Sequence, residues 1–125
     1  MSDKTTCACA GAPKLIFACS GAADVGAVAD QAARKLSKNG TGKMFCLAGI
    51  GGRVPGIMAT TQSAARILAI DGCPLNCAKE SLLLAGFHGF EHLQLADLGM
   101  EKGKTPPTPE AVAKVATAGA AKLAC

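Results

Sequence analysis

A three-layer α/β fold, with a four-stranded, mainly parallel sheet covered by helices on both faces, follows from three features of this 125-residue sequence. Short apolar runs alternate with helix-period segments four times along the chain. The connections between them are mostly short and carry Gly, Asn or Ser. Small residues outweigh bulky ones: Ala and Gly are abundant, with four Phe and no Trp or Tyr. Strand–helix alternation predicts parallel strands with crossover helices. The small residues predict close backbone approach and tight loops.

Each element has its own signal. Residues 1–12 read as a flexible lead containing Cys7 and Cys9. Lys14 to Ala18 is the first apolar run, and Cys19-Ser20-Gly21 ends it. Val25, Val28, Ala29, Ala32 and Leu36 then recur at helical spacing. Arg34, Lys35 and Lys38 near the end of that helix suit its dipole, and Asn39-Gly40 stops it. Lys43 to Ala48 is the second predicted strand, with Cys46 inside it, followed by a glycine-rich loop, Gly49-Ile50-Gly51-Gly52. A shorter helix is expected over Gly56 to Ala65 and a third strand over Arg66 to Ile70. Pro74 lacks an N–H and suits the first turn of the next helix, which puts Cys73 at or near its N-cap. That helix is expected over Ala78 to Ala85, stopping at Gly86. Glu91 to Ala96 is the fourth strand. Residues 99–109 hold three prolines and read as irregular. Thr108 caps a last helix that has Pro109 at its first position and runs to about Leu123. The whole reads as one domain over 1–125, Rossmann- or flavodoxin-like. A chain of this length buries roughly two-thirds of its unfolded surface, so its core needs no disulfides.

Bulk properties narrow the function. The net charge of +4 comes from scattered basic residues with no basic block. With so few aromatics to stack on bases, the nucleic-acid signal is weak, and the charge reads as solvated surface. The first six residues are polar and lack the pattern of a signal peptide. No apolar run reaches the roughly 18 residues that span a bilayer. A cytoplasmic location is therefore expected, where thiols stay reduced. Seven cysteines cannot all pair with one another. In a reducing compartment such a set points to metal ligation or thiol chemistry.

A parallel sheet would bring Cys19, Cys46, Cys73 and Cys77 to its carboxyl edge, where ligands bind in such folds. Four thiolates suit tetrahedral Zn²⁺. Glycines at 21, 49 and 72 would let backbone amides approach the sulfurs. Free helix N-terminal N–H groups would offset part of the negative charge. Asp71 is expected to accept hydrogen bonds from the turn and fix Cys73. The plainer reading keeps these cysteines as small core residues. The alternative chemistry is a thiol-redox or iron–sulfur oxidoreductase component using Cys73 and Cys77. Other motifs fall short. Cys19 lacks the arginine of a C-x₅-R oxyanion loop, since position 25 is Val, and Cys46 to Arg53 is one residue too long. Gly103-Lys104-Thr105 lacks the leading glycine of a phosphate loop and reads as a polar turn. Cys125 reads as an exposed bystander. His88 and His92 flank the fourth strand and read first as surface-loop or strand residues, with a ligand or proton-carrier role as the alternative. Cys7-x-Cys9 reads as tail, as ligands of a second metal, or as a metal or electron relay.

Three segments carry a family resemblance: Cys19-Ser20-Gly21-Ala22-Ala23-Asp24-Val25-Gly26, Cys46-Leu47-Ala48-Gly49-Ile50-Gly51-Gly52, and Ala69-Ile70-Asp71-Gly72-Cys73-Pro74-Leu75-Asn76-Cys77-Ala78. Together they resemble the DGC-domain family, named for the Asp-Gly-Cys found here at 71–73. The resemblance covers the chain from about Cys7 to the last helix. It implies zinc binding through four cysteines, matching Cys19, Cys46, Cys73 and Cys77, and it implies no reaction. Its partner is expected to be an unidentified protein or metal-transfer partner, not a membrane.

Overall fold

The computed structural model describes residues 12–124. Cys7, Cys9 and Cys125, and the expected flexible lead up to residue 11, lie outside them. The strands are β1 (Lys14–Ala18), β2 (Lys43–Met44), β3 (Arg66–Asp71) and β4 (Glu91–Gln94). The helices are α1 (Asp24–Lys38), α2 (Leu47–Gly51), α3 (Pro55–Gln62), α4 (Cys77–Leu84) and α5 (Pro109–Leu123). A 3-10 turn, Leu95–Leu98, follows β4. The sheet order is β2-β1-β3-β4 and every pairing is parallel, so the fold class read from the sequence holds.

The central strands are apolar on both faces because both faces are covered. Ile16, Ala18, Leu68 and Ile70 point into a cluster with α1 and α5. Leu15, Phe17 and Ala69 point into a second cluster, with Ile50 of α2 and Ala78 and Leu82 of α4. Phe17 and Phe45 meet edge to face, with centroids 6.1 Å apart. The two clusters are the two interlayer cores of a three-layer sandwich.

Several boundaries differ from the sequence reading; α3 ends at Gln62, three residues before the expected Ala65, and three other differences lie at the second strand, the glycine-rich segment and the fourth strand. The second strand is only two residues long. Phe45 N–H still bonds to Ile16 O at 2.8 Å, and then the chain leaves the sheet. Cys46 therefore N-caps α2 instead of lying inside a strand. The glycine-rich segment is itself a helix, α2. Buried Ile50 anchors it, and Arg53 closes it at φ 56°, donating from Nη1 to Ile50 O at 2.7 Å. The fourth strand ends at Gln94, whose side chain accepts from Ala96 N–H and turns the chain into the 3-10 segment. The last helix begins as expected, with Thr108 Oγ1 accepting from Ala111 N–H at 3.1 Å.

Candidate metal centre

From β1 the chain moves outward to β2, and from β3 it moves the other way to β4. The loops after β1 and β3 thus diverge from neighbouring strands, making a topological switch point at the carboxyl edge. Cys19 is the first residue past β1, and Cys73 lies two past β3. Cys46 lies two past β2, which is β1's other neighbour, and Cys77 opens α4. All four are free thiols: Cys19 and Cys73 are half-buried, Cys46 and Cys77 exposed.

The β3–α4 connection is built from its sequence in a way the proline obscured. Asn76 N–H bonds to Cys73 O at 3.2 Å, so residues 73–76 form a β-turn with Pro74 at its second position. The fixed φ of proline suits that place as well as it suits a first helical turn. Asn76 adopts the left-handed conformation, φ 55°, and is the true N-cap. Cys73 therefore precedes the helix by a full turn of chain, and it is Cys77 that occupies the first helical position. The side chain of Gln94 braces the turn, donating to Cys73 O at 2.9 Å and to Asn76 Oδ1 at 2.6 Å.

Asp71 works on the helix, not on the turn. Its side chain is 1% exposed. Oδ1 accepts from Ala78 N–H at 2.7 Å, and Oδ2 accepts from Lys79 N–H at 3.0 Å. His92 Nε2 lies 2.8 Å from Oδ2. Two first-turn amides of α4 are thus satisfied by a carboxylate from the preceding strand, so they are not free to offset thiolate charge. The sequence pattern had not joined Asp71 to His92, because only the β3–β4 pairing brings them together. One amide does face a sulfur, as the glycine suggested: Gly72 N–H donates to Cys19 Sγ at 3.3 Å.

Asp24 plays a matching role at the start of α1. It accepts from its neighbour Val25 N–H at 2.8 Å, from Gly103 N–H at 2.9 Å and from Thr105 N–H at 2.9 Å. The polar Gly103-Lys104-Thr105 turn is thereby fastened to the helix. Those hydrogen bonds, led by Gly103 and then Thr105, hold the Asp24 carboxyl below its ordinary pKa of 3.8. A depressed folded-state pKa adds stability above the unfolded value and loses it as pH falls through the folded value. Asp24→Asn is accordingly expected to weaken urea resistance near neutral pH, with the gap to wild type closing below about pH 4. A gap that stays constant from pH 7 down to pH 2 would contradict this.

The four thiols suit a soft divalent ion in kind and in their placement on one edge. Their side chains do not surround one point: among the described residues, no group of three or more His, Cys, Asp or Glu side chains is gathered to hold a metal ion. Cys19 and Cys46 share an open cleft of about 980 Å³ between α1, α2 and the β1 loop, which Cys73 and Cys77 do not line. His88 is exposed in the loop before β4, away from these cysteines' loops in sequence and bonded to none of them.

The profile of the DGC domain family matches residues 15–118. A relative from Pseudomonas aeruginosa, the anaerobic and virulence modulator AnvM, is 39% identical over 88 residues, covering 70% of this chain and 67% of its own. No solved structure matches significantly. No helix among the described residues is long and apolar enough to cross a membrane.

Proposed function

The chain belongs to the DGC-domain family, and on that premise we propose that it binds zinc through the thiolates of Cys19, Cys46, Cys73 and Cys77. The observation that carries this reading is the topology: three adjacent parallel strands deliver all four cysteines to one edge. Cys19 and Cys73 sit at the switch point, and the Gly72 amide supports the Cys19 sulfur. Closing the set demands side-chain movement, for which the exposed pair, Cys46 and Cys77, has the most room. Zinc held by four thiolates is closed to substrate, so its chemistry there is cohesion or transfer, not hydrolysis.

Transfer is the better supported of the two. The edge is already fastened without a metal, by Asp71 on α4, Gln94 on the 73–76 turn and Arg53 on α2. Both interlayer cores are closed by apolar side chains. The function proposed is therefore a metal carrier that gives zinc to a protein partner inside the cell.

Metal analysis of anaerobically purified protein is the test. About one zinc per chain is expected, and Cys73→Ser should lose it. Chelation should leave the far-UV circular dichroism in place and move the thermal midpoint little. A structural zinc would instead be worth on the order of 10 kcal/mol, and its removal would unfold the domain. Iron with acid-labile sulfide would replace this reading with the redox one built on Cys73 and Cys77.

A further inference from the structure

The open cleft beside β1 holds two of the proposed zinc thiols, Cys19 and Cys46, together with charged groups that zinc binding does not use. Ser20 adopts φ 52°, a conformation non-glycine residues rarely take and one that recurs at functional sites. Its hydroxyl donates to Asp30 Oδ1 at 2.7 Å, and Asp30 Oδ2 accepts from Arg34 Nε at 2.7 Å. The guanidinium is thus held by its inner nitrogen. Its side chain is 69% exposed, and its terminal nitrogens have no partner among the described residues. Lys38, one turn further along α1, is exposed and lines the same cleft. The exposed thiol of Cys46 lines the same cleft, as does the half-buried Cys19.

Two cations bind carboxylates, and an exposed thiol on the wall of the same cleft can exchange with a disulfide held there. The volume, about 980 Å³, is that of a small-molecule site. We propose that this cleft is a thiol–disulfide exchange site for small disulfides bearing carboxylates, with Arg34 and Lys38 holding the carboxylates and Cys46 attacking. The Cys46 thiolate attacks one sulfur of the ligand, R–S–S–R. A bond forms between Cys46 Sγ and that sulfur, and the ligand's S–S bond breaks. Its electron pair leaves on the other sulfur as a thiolate, which takes a proton from water. The ligand is the oxidant: one half is released reduced, and the other stays on Cys46 as a mixed disulfide.

Cys77 provides an internal control. It is equally a free, exposed thiol, but it lines no part of this cleft and has Glu80 in the same helical turn. The experiment treats the reduced full chain with oxidised glutathione, which is anionic, or with cystamine, which is cationic. Peptide mass spectrometry follows each cysteine over time. With oxidised glutathione, Cys46 is expected to react about tenfold faster than Cys77, and the Arg34→Ala/Lys38→Ala variant to lose about tenfold of that rate. The same variant should not slow cystamine. Lys38→Glu, which leaves the Ser20–Asp30–Arg34 chain intact, should also slow the anionic disulfide selectively. Equal rates at Cys46 and Cys77 with oxidised glutathione, or variants that slow both disulfides alike, would overturn the proposal. It shares Cys46 with the zinc reading, but its test does not depend on zinc. A chain that binds no zinc still gives the comparison, and a metal on Cys46 would slow both disulfides together and leave their ratio interpretable.

Discussion

Asp71→Ala is expected to cost about 3–5 kcal/mol of folding stability, a large share of the roughly 5–15 kcal/mol that holds a domain of this kind together. The carboxylate is buried at 1% exposure and accepts from the Ala78 and Lys79 amides, with His92 Nε2 also 2.8 Å away. Ala78 is itself fully buried, so its amide has no water to turn to when the carboxylate goes. First-turn amides have no acceptor within their own helix, and Asn76, the N-cap, makes no side-chain cap of its own. Asp71→Asn keeps one carbonyl acceptor and should cost less, about 2 kcal/mol. His92→Ala removes one partner of three and should cost about 1 kcal/mol. Urea unfolding at neutral pH orders the three variants. Hydrogen exchange at Ala78 and Lys79 should rise in Asp71→Ala before global unfolding does. If Asp71→Ala stays within about 1 kcal/mol of wild type, the cap is not what holds α4, and the start of Cys77's helix must be fixed otherwise.

That cap also explains which parts of the molecule could be read from the sequence. Local signals were sufficient where local chemistry decides. Asn39 and Gly40 end α1, and Thr108 with Pro109 starts α5, because caps and breakers act on neighbouring residues. The alternation of apolar runs with helical spacing gave the parallel sheet. The strand order β2-β1-β3-β4 was not legible, because nothing in one strand's pattern names its neighbour. Pro74 misled for a reason that is also physical: its locked φ serves a β-turn and a helix start equally, and only Gln94 and Asn76 decide between them. Asp71 was visible as a residue but not as a cap, because its partners lie in the next helix and on β4. The cysteines were legible as a set at one edge. Which of them share a cleft depends on where β2 ends, and a two-residue strand is below the resolution of any periodicity.

Gly72→Ala and Gly26→Ala carry the second large effect, and for Gly26 the sign opposes helix propensity. Alanine in place of glycine inside a helix ordinarily gains up to about 1 kcal/mol. Gly26 lies in the first turn of α1, where an added Cβ would run into the backbone of Gly21, against its carbonyl oxygen and 2.8 Å from its carbonyl carbon and nitrogen. At Gly72 the Cβ would meet Val25 carbonyl carbon and oxygen at 2.6 Å and Gly26 nitrogen at 2.9 Å. These are backbone atoms on both sides, so no rotamer change relieves the overlap, and the β3–α4 loop must move off the start of α1. Each substitution is expected to destabilise by about 2–4 kcal/mol, the range of overpacking that side chains cannot absorb. Gly56→Ala supplies the contrast: it lies in the first turn of α3 with nothing within 4 Å of the new Cβ, and it should be neutral or slightly stabilising. The same close approach sets the chemistry of the edge. Gly72 N–H reaches Cys19 Sγ because its loop can lie against Val25. Gly72→Ala should therefore speed alkylation of Cys19 in the folded protein as well as lower the urea midpoint, whereas Gly26→Ala, which leaves the Gly72 amide in place, should change stability more than Cys19 reactivity. Equal changes in Cys19 reactivity for the two variants would mean that general loosening, not the lost amide contact, exposes the thiol.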